Sequence, residues 1–253
     1  MLSREDLQNL TKISGFSLWQ TEKDYLQHIF LLFLSKEMKR ELVLKGGTAL
    51  QKIYGLNRFS IDLDFTSTDD KTETIVEEVS KDMSDFGFET KIVKVEKYKE
   101  LGKTIVLKIK GPLYDGTEKT LTASRIEISS RKDLVLEPEL KEVVPIYPDI
   151  KPYLILVMGP EEMLAEKIRA ILWRAKARDV YDLWFLLRKN VAFNLALTNK
   201  KLDYYKIAYD VKNLRKKLEE MKKSWENELK QIVTFVPDFE DVKKDVLEAL
   251  ARK

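Results

Sequence analysis

The stretch Lys45–Thr66, KGGTALQKIYGLNRFSIDLDFT, constrains the fold more than any other part of the chain. It opens on a glycine pair and a hydroxyl residue, passes through a short apolar segment, and closes in Asp62-Leu63-Asp64 with hydrophobic residues on both sides. Side chains alternate along a strand, so Asp62 and Asp64 share one face while Ile61, Leu63 and Phe65 point the other way, toward a core. Two carboxylates on the exposed face of an anchored strand suit Mg²⁺, a hard cation that prefers oxygen ligands. Gly46, Gly47 and Thr48 stand where a helix would begin, with backbone N–H groups directed outward and no Cβ to keep a phosphate away. Thirteen residues separate Thr48 from Asp62, enough for a helix and a return turn that bring both motifs to one end of a sheet. The simpler alternatives are a solvated strand face for the aspartates and a tight turn for the glycines.

Composition narrows the chemistry. The 253 residues allow one large domain or two modest ones with a substantial core. Net charge is only +3, so binding to nucleic acid would have to come from local clusters. The absence of cysteine excludes disulfides, zinc thiolates and a cysteine nucleophile. A single histidine, His28, excludes histidine-rich metal sites and two-histidine catalysis, and packing is its default role. No apolar run reaches the roughly 18 residues of a membrane span. The opening MLSREDLQNL lacks a signal-peptide core, so a cytoplasmic location and no membrane partner are expected.

Hydrophobic periodicity predicts a helix over 18–40 with a stripe of Trp19, Leu26, Ile29, Phe30, Phe33 and Leu34. Leu42–Leu44 reads as a short strand or a helix end. A helix over Thr48–Tyr54 has Thr48 near its N-cap and Gly55 at its end. Ile61–Phe65 follows as a strand and Glu73–Asp85 as an amphipathic helix. Strands are expected around Ile92–Val95, at Thr104–Lys110 and Thr120–Ser129 (a hairpin), and at Val143–Ile146 and Tyr153–Met158. From Pro160 the pattern is helical: 160–175, 178–189, 203–230 and 238–252. The expected fold class is therefore α+β, with an α/β domain over 1–158 and a helical domain over 159–253 that completes the active-site cleft.

A phosphate cradle beside metal carboxylates points to nucleotidyl transfer. A third carboxylate is expected on a neighbouring strand, and Glu127 is the candidate, because Ile126 and Ile128 take the buried face and leave Arg125, Glu127 and Ser129 on the other. Glu127 would position the attacking hydroxyl or act as its base; the alternative is an exposed glutamate paired with a neighbour. Arg58 and Ser60 alternate with Asp62, so Arg58 either contacts phosphate, holds the carboxylates, or makes a loop salt bridge. In PEEMLAEKIRAILWRAKARDVYDLWFLL (160–187), Lys167 flanks the core stripe and Asp179 and Asp182 lie three residues apart on one side of a helix. They are either surface ion pairs, like Glu166 with Arg169, or a set in which Lys167 approaches a triphosphate while Arg178, Asp179 and Asp182 form the cleft wall. The lysines of 203–230, interleaved with Tyr204, Tyr205, Tyr209 and Trp225, are either an RNA patch or a solvated helix face.

Four pieces in order, LKGGTAL (44–50), RFSIDLDF (58–65), EEMLAEKIRA (161–170) and RAKARDVYDL (174–183), resemble the AbiEii/AbiGii nucleotidyltransferases. These are the toxins of type IV toxin–antitoxin systems, a branch of the DNA polymerase β-like superfamily. The resemblance spans roughly residues 40–190 and leaves the C-terminal 60 unplaced. It implies that Gly46, Gly47 and Thr48 bind phosphate, that Asp62 and Asp64 hold two Mg²⁺ (or Mn²⁺), that Lys167 touches the nucleotide, and that Arg178, Asp179 and Asp182 complete the site. The family's third acidic position is less well marked, so Glu127 rests on strand alternation alone. The implied partners are an NTP, an RNA acceptor such as tRNA, and a cognate antitoxin. The alternatives are the same chemistry on a protein or small-molecule hydroxyl, and a nucleotide- or antitoxin-binding module without catalysis.

Overall fold

Leu42, Val43 and Leu44 are all buried, which a strand achieves only when both faces of its sheet are covered. They belong to β1 (Leu42–Lys45), an inner strand of a seven-stranded mixed sheet with the order β3-β4-β5-β2-β1-β7-β6. In this computed structural model, which describes residues 1–36, 42–67, 72–98, 101–131 and 134–251, the other strands are β2 (Leu63–Ser67), β3 (Thr90–Lys97), β4 (Gly102–Ile109), β5 (Thr122–Ser129), β6 (Glu139–Val143) and β7 (Tyr153–Val157). β2 runs antiparallel to β1 and parallel to β5, and β4 and β5 form the expected antiparallel pair. Helices α1 (Arg4–Ser14), α2 (Leu18–Lys36), α3 (Gly46–Lys52) and α4 (Thr72–Asp85) accompany the sheet.

The chain divides into two compact units. The first is Met1–Gly55, Phe59–Leu134 and Pro138–Val157; the second is Leu56–Arg58, Val135–Glu137 and Met158–Lys253. The second unit is built from α5 (Pro160–Arg174), α6 (Ala177–Arg188), α7 (Leu195–Asp203), α8 (Val211–Met221), α9 (Trp225–Leu229) and α10 (Phe239–Ala251). Two short excursions, 56–58 and 135–137, thus join the helical unit. The glutamate of α5 explains one of them: the buried Glu162 carboxylate accepts the backbone N–H groups of Val135 (2.7 Å) and Leu136 (2.9 Å).

Several expectations are corrected. α1 was not anticipated, although Ser3 and Asp6 form a reciprocal capping box and Gly15 closes the helix in the left-handed region. α2 ends the described part of the predicted 18–40 helix at Lys36; residues 37–40 lie outside the described residues, as does residue 252 of the predicted last helix. Trp19 is not in its core stripe: the residue is 54% exposed and meets Phe59 edge-on. α2 is instead buried almost all round, and its polar residues Gln20, Thr21, Glu22, Lys23, Asp24, Gln27 and His28 are inside. The strand expected at Val143–Ile146 lies earlier, at β6. The single helix expected over 203–230 is broken, because Asp210 caps a new start by accepting from the N–H groups of Lys212 and Asn213 (both 3.1 Å). On α8 the apolar stripe Leu214, Leu218 and Met221 is buried and the basic side chains are solvated. Lys217 pairs with Glu220 (3.0 Å), and Lys222, just past the helix, pairs with Glu240 (2.7 Å). Trp225 is buried, with its indole N–H on the Pro237 carbonyl, so it is no stacking partner beside the solvated basic face of α8.

Candidate active site

Gly46 fixes the local geometry of the first unit's site. Its φ is +70°, and an added Cβ would stand 2.5 Å from Oδ2 of Asp64. The group that the missing side chain admits is therefore the Asp64 carboxylate, brought over the start of α3. Thr48 is not the N-cap, a place held by Lys45, but the third residue of α3, fully buried. Its hydroxyl donates to the Asp62 carbonyl and lies 2.9 Å from Ser60 Oγ. A carbonyl can only accept, so the threonine proton goes to Asp62 and clamps the backbone entering β2. Gln51 Oε1 accepts from the Ser60 N–H (2.8 Å), and Gln27 Nε2 donates to the carbonyls of Ser60 (3.1 Å) and Ile61 (3.0 Å). Ser60 and Thr48 thus hold the acidic strand in place and are closed to solvent.

Asp62 precedes β2 and Asp64 lies within it; both are half-buried. Leu63 and Phe65 are buried as expected, but Ile61, outside the strand, is 37% exposed. Asp64 pairs in register with Glu127 on β5, which places the predicted third carboxylate beside it. Glu127 is also ion-paired to Arg125 at 3.0 Å. Lys23 of α2 faces Asp62: burial pulls its amine below the usual lysine range, and the Asp62 carboxylate limits that fall. Sequence reasoning missed Lys23, because it stands in the polar run Gln20–Asp24 and nothing local marks that run as buried. The donors Asp62, Asp64 and Glu127 are all oxygen and none is sealed from solvent, which fits a hard divalent cation. Among the described residues no three His, Asp or Glu side chains already gather as a metal-holding group, and one Glu127 oxygen is taken by Arg125.

In the second unit the predicted residues form a buried charge network. Arg58 makes a bidentate pair with Asp182, Nε to Oδ1 at 2.6 Å and a terminal nitrogen to Oδ2 at 2.7 Å. Lys167 Nζ reaches Asp182 (2.7 Å) and Asp179 (3.1 Å), and Arg174 completes Asp179 (2.9 and 3.0 Å). Asp179 and Asp182 are fully buried, which rules out surface pairing. Burial opposes their ionisation, but the charges of Lys167 and Arg174 on Asp179, and of Arg58 and Lys167 on Asp182, hold both carboxyls below the usual range. Three cations, Arg58, Lys167 and Arg174, surround two anions. Arg58 is thus committed to Asp182, and Arg58 and Ser60 are buried loop residues rather than part of an exposed strand face with Asp62. Lys167 keeps one of its three N–H donors beyond these two carboxylates. Arg178 is half-exposed beside this network in sequence. Glu166 and Arg169 do pair, at 2.6 Å.

The chain matches the nucleotidyl transferase AbiEii toxin family of type IV toxin–antitoxin systems over residues 32–252. It belongs to that family and is a nucleotidyltransferase. The match includes the C-terminal helices that the four sequence pieces left unplaced. No curated protein sequence matches the chain. Among solved structures, MenT4, a nucleotidyltransferase toxin from Mycobacterium tuberculosis H37Rv, is similar with a TM-score of 0.67 at 20% identity, over 99% of this chain and 89% of that one. JHP933 from Helicobacter pylori is similar with a TM-score of 0.61 at 22% identity, over 92% and 91%. At these identities the likeness is one of fold. No helix among the described residues is long and apolar enough to cross a membrane.

Proposed function

We propose that the chain moves a nucleoside monophosphate from an NTP to a hydroxyl of RNA, releasing pyrophosphate, as the cytoplasmic toxin of a type IV pair with a cognate antitoxin. The observation that carries the reading is the placement of Asp64: over Gly46, in register with Glu127, two residues after Asp62. Asp62, Asp64 and Glu127 would hold divalent metal, and two Mg²⁺ (or Mn²⁺) there would supply charge neutralisation for in-line displacement at phosphorus. The turn at Gly46 and Gly47 orients phosphate, with Thr48 and Ser60 fixing that turn against the acidic strand. The remaining donor of Lys167 and the half-exposed Arg178 neutralise triphosphate oxygens, while Asp179, Asp182 and Arg58 keep Lys167 in position. Charge distribution supports a polyanionic acceptor: residues 158–253 carry 21 Lys and Arg against 16 Asp and Glu, and residues 1–157 carry 24 against 26.

The test is pyrophosphate release from each NTP with and without added RNA, for the wild type and for Asp64→Ala. RNA-stimulated release that disappears in the variant supports the reading. Release that Asp64→Ala leaves intact at saturating Mg²⁺ and NTP overturns it.

A further inference from the structure

The second unit leaves a large aromatic surface in water. Trp173, near the end of α5, is 58% exposed, and Tyr204, just after α7, is 47% exposed. Tyr205 links them, with its ring centroid 4.8 Å from Trp173 and 5.4 Å from Tyr204. Arg169, one turn before Trp173, lies 4.9 Å over the Tyr205 ring and donates to its hydroxyl at 2.8 Å. The Arg169 guanidinium is itself tied to Glu166 through two further bonds of 2.9 and 2.6 Å, so the central ring is fixed from beneath. Lys206 follows at φ +56°, a left-handed conformation that strains a side-chain-bearing residue. That strained turn sets an exposed ammonium directly after the tyrosine pair.

We propose that Trp173, Tyr204 and Tyr205 form a stacking platform for unpaired bases of the RNA acceptor. The exposed rings of Trp173 and Tyr204, bridged by the half-buried Tyr205 and flanked by cations, match single-stranded nucleic acid, whose bases offer π-faces and whose backbone offers negative charge. A duplex keeps its base faces stacked away from such a surface. The surplus of basic residues in 158–253 supplies the long-range attraction. Trp173 adjoins Arg174, the outer member of the Asp179 pair, so the platform starts where the buried charge network meets solvent. The proposal rests on RNA being the acceptor, and its test separates the two.

The experiment is fluorescence anisotropy of the full chain with a fluorescein-labelled single-stranded RNA of roughly twelve nucleotides, and with the same sequence as a blunt duplex. Trp173→Ala and Tyr204→Ala each weaken single-strand binding by roughly five- to hundredfold, the range expected for a lost base stack. Trp173→Phe, which keeps a π-face, recovers most of the loss, and duplex binding does not change. Unchanged single-strand affinity in both alanine variants, an equal loss for the duplex, failure of Phe to rescue, or no RNA affinity in the wild type overturns the platform. Transfer to RNA with an unaltered RNA KM in Trp173→Ala removes the platform but leaves the proposed reaction standing. Loss of single-strand binding in a protein that labels no RNA keeps the platform and removes the acceptor assignment.

Discussion

Gly46 and Gly55 separate two effects that a single glycine substitution usually mixes. Both have left-handed backbones, with φ of +70° and +77°. A Cβ at Gly55 would meet nothing within 4 Å, whereas one at Gly46 would stand 2.5 Å from Asp64 Oδ2. Gly55→Ala therefore adds only backbone strain and should cost about 1–2 kcal/mol of stability. Gly46→Ala adds the same strain plus a contact about 0.9 Å too close, for a total of about 2–4 kcal/mol. The clash is relieved by moving the Asp64 carboxylate, and a displacement near 1 Å at a reacting centre lowers kcat/KM on the order of a hundredfold. The assay is Mg²⁺-dependent pyrophosphate release beside urea unfolding of each variant. The expected pattern is lost stability in both, with lost activity only in Gly46→Ala. Wild-type activity in Gly46→Ala, or equal activity loss in both variants, refutes the placement of Asp64 against Gly46 as a functional contact.

Asp182→Asn leaves Arg58 and Lys167 buried without their full counter-charge and should cost about 3–5 kcal/mol in denaturant unfolding, where a loss below half a kcal/mol would contradict the network. His28 gives a pH signature: burial and the nearby Lys52 charge, offset in part by Asp24, lower its pKa from 6.5 to about 3. The unfolded chain therefore takes up a proton below pH 6.5 that the folded chain refuses. Stability conferred by neutral His28 is complete above pH 6.5 and declines by up to about 1.4 kcal/mol per pH unit as pH falls toward 3. The stability gap between wild type and His28→Gln should shift by that slope between pH 6.5 and 5, and a constant gap would rule the mechanism out. Glu127→Gln should raise the Mg²⁺ concentration for half-maximal activity by roughly tenfold, and an unchanged requirement would remove Glu127 from the metal set.

The sheet side of the site was legible because strand alternation is local. Ile126 and Ile128 announce which way Glu127 points, and Leu63 and Phe65 do the same for Asp64. The hairpin of β4 and β5 followed from alternation and turn residues. What the sequence did not display are partners that meet over long separations. Arg58 and Asp182 are 124 residues apart, and nothing in either neighbourhood marks the other. The interior of α2 is a second case. Asp24 binds Gln51 and Lys52 (each 2.7 Å) and Tyr147 (2.7 Å), while His28 Nδ1 lies 2.8 Å from the Tyr153 hydroxyl. These buried polar groups come from four separate segments, so a periodicity reading treats their side chains as surface. The misread helix over 203–230 had a visible signal, since Asp210 is a strong N-cap residue in mid-pattern.

The most direct test of the central claim is incubation of the purified chain with total RNA, Mg²⁺ and each α-³²P-labelled NTP in turn, beside the double variant Asp62→Ala/Asp64→Ala. The account predicts label in an RNA band for at least one NTP and none with the variant. Label on protein, label on neither, or labelling of RNA that survives the double substitution would contradict it.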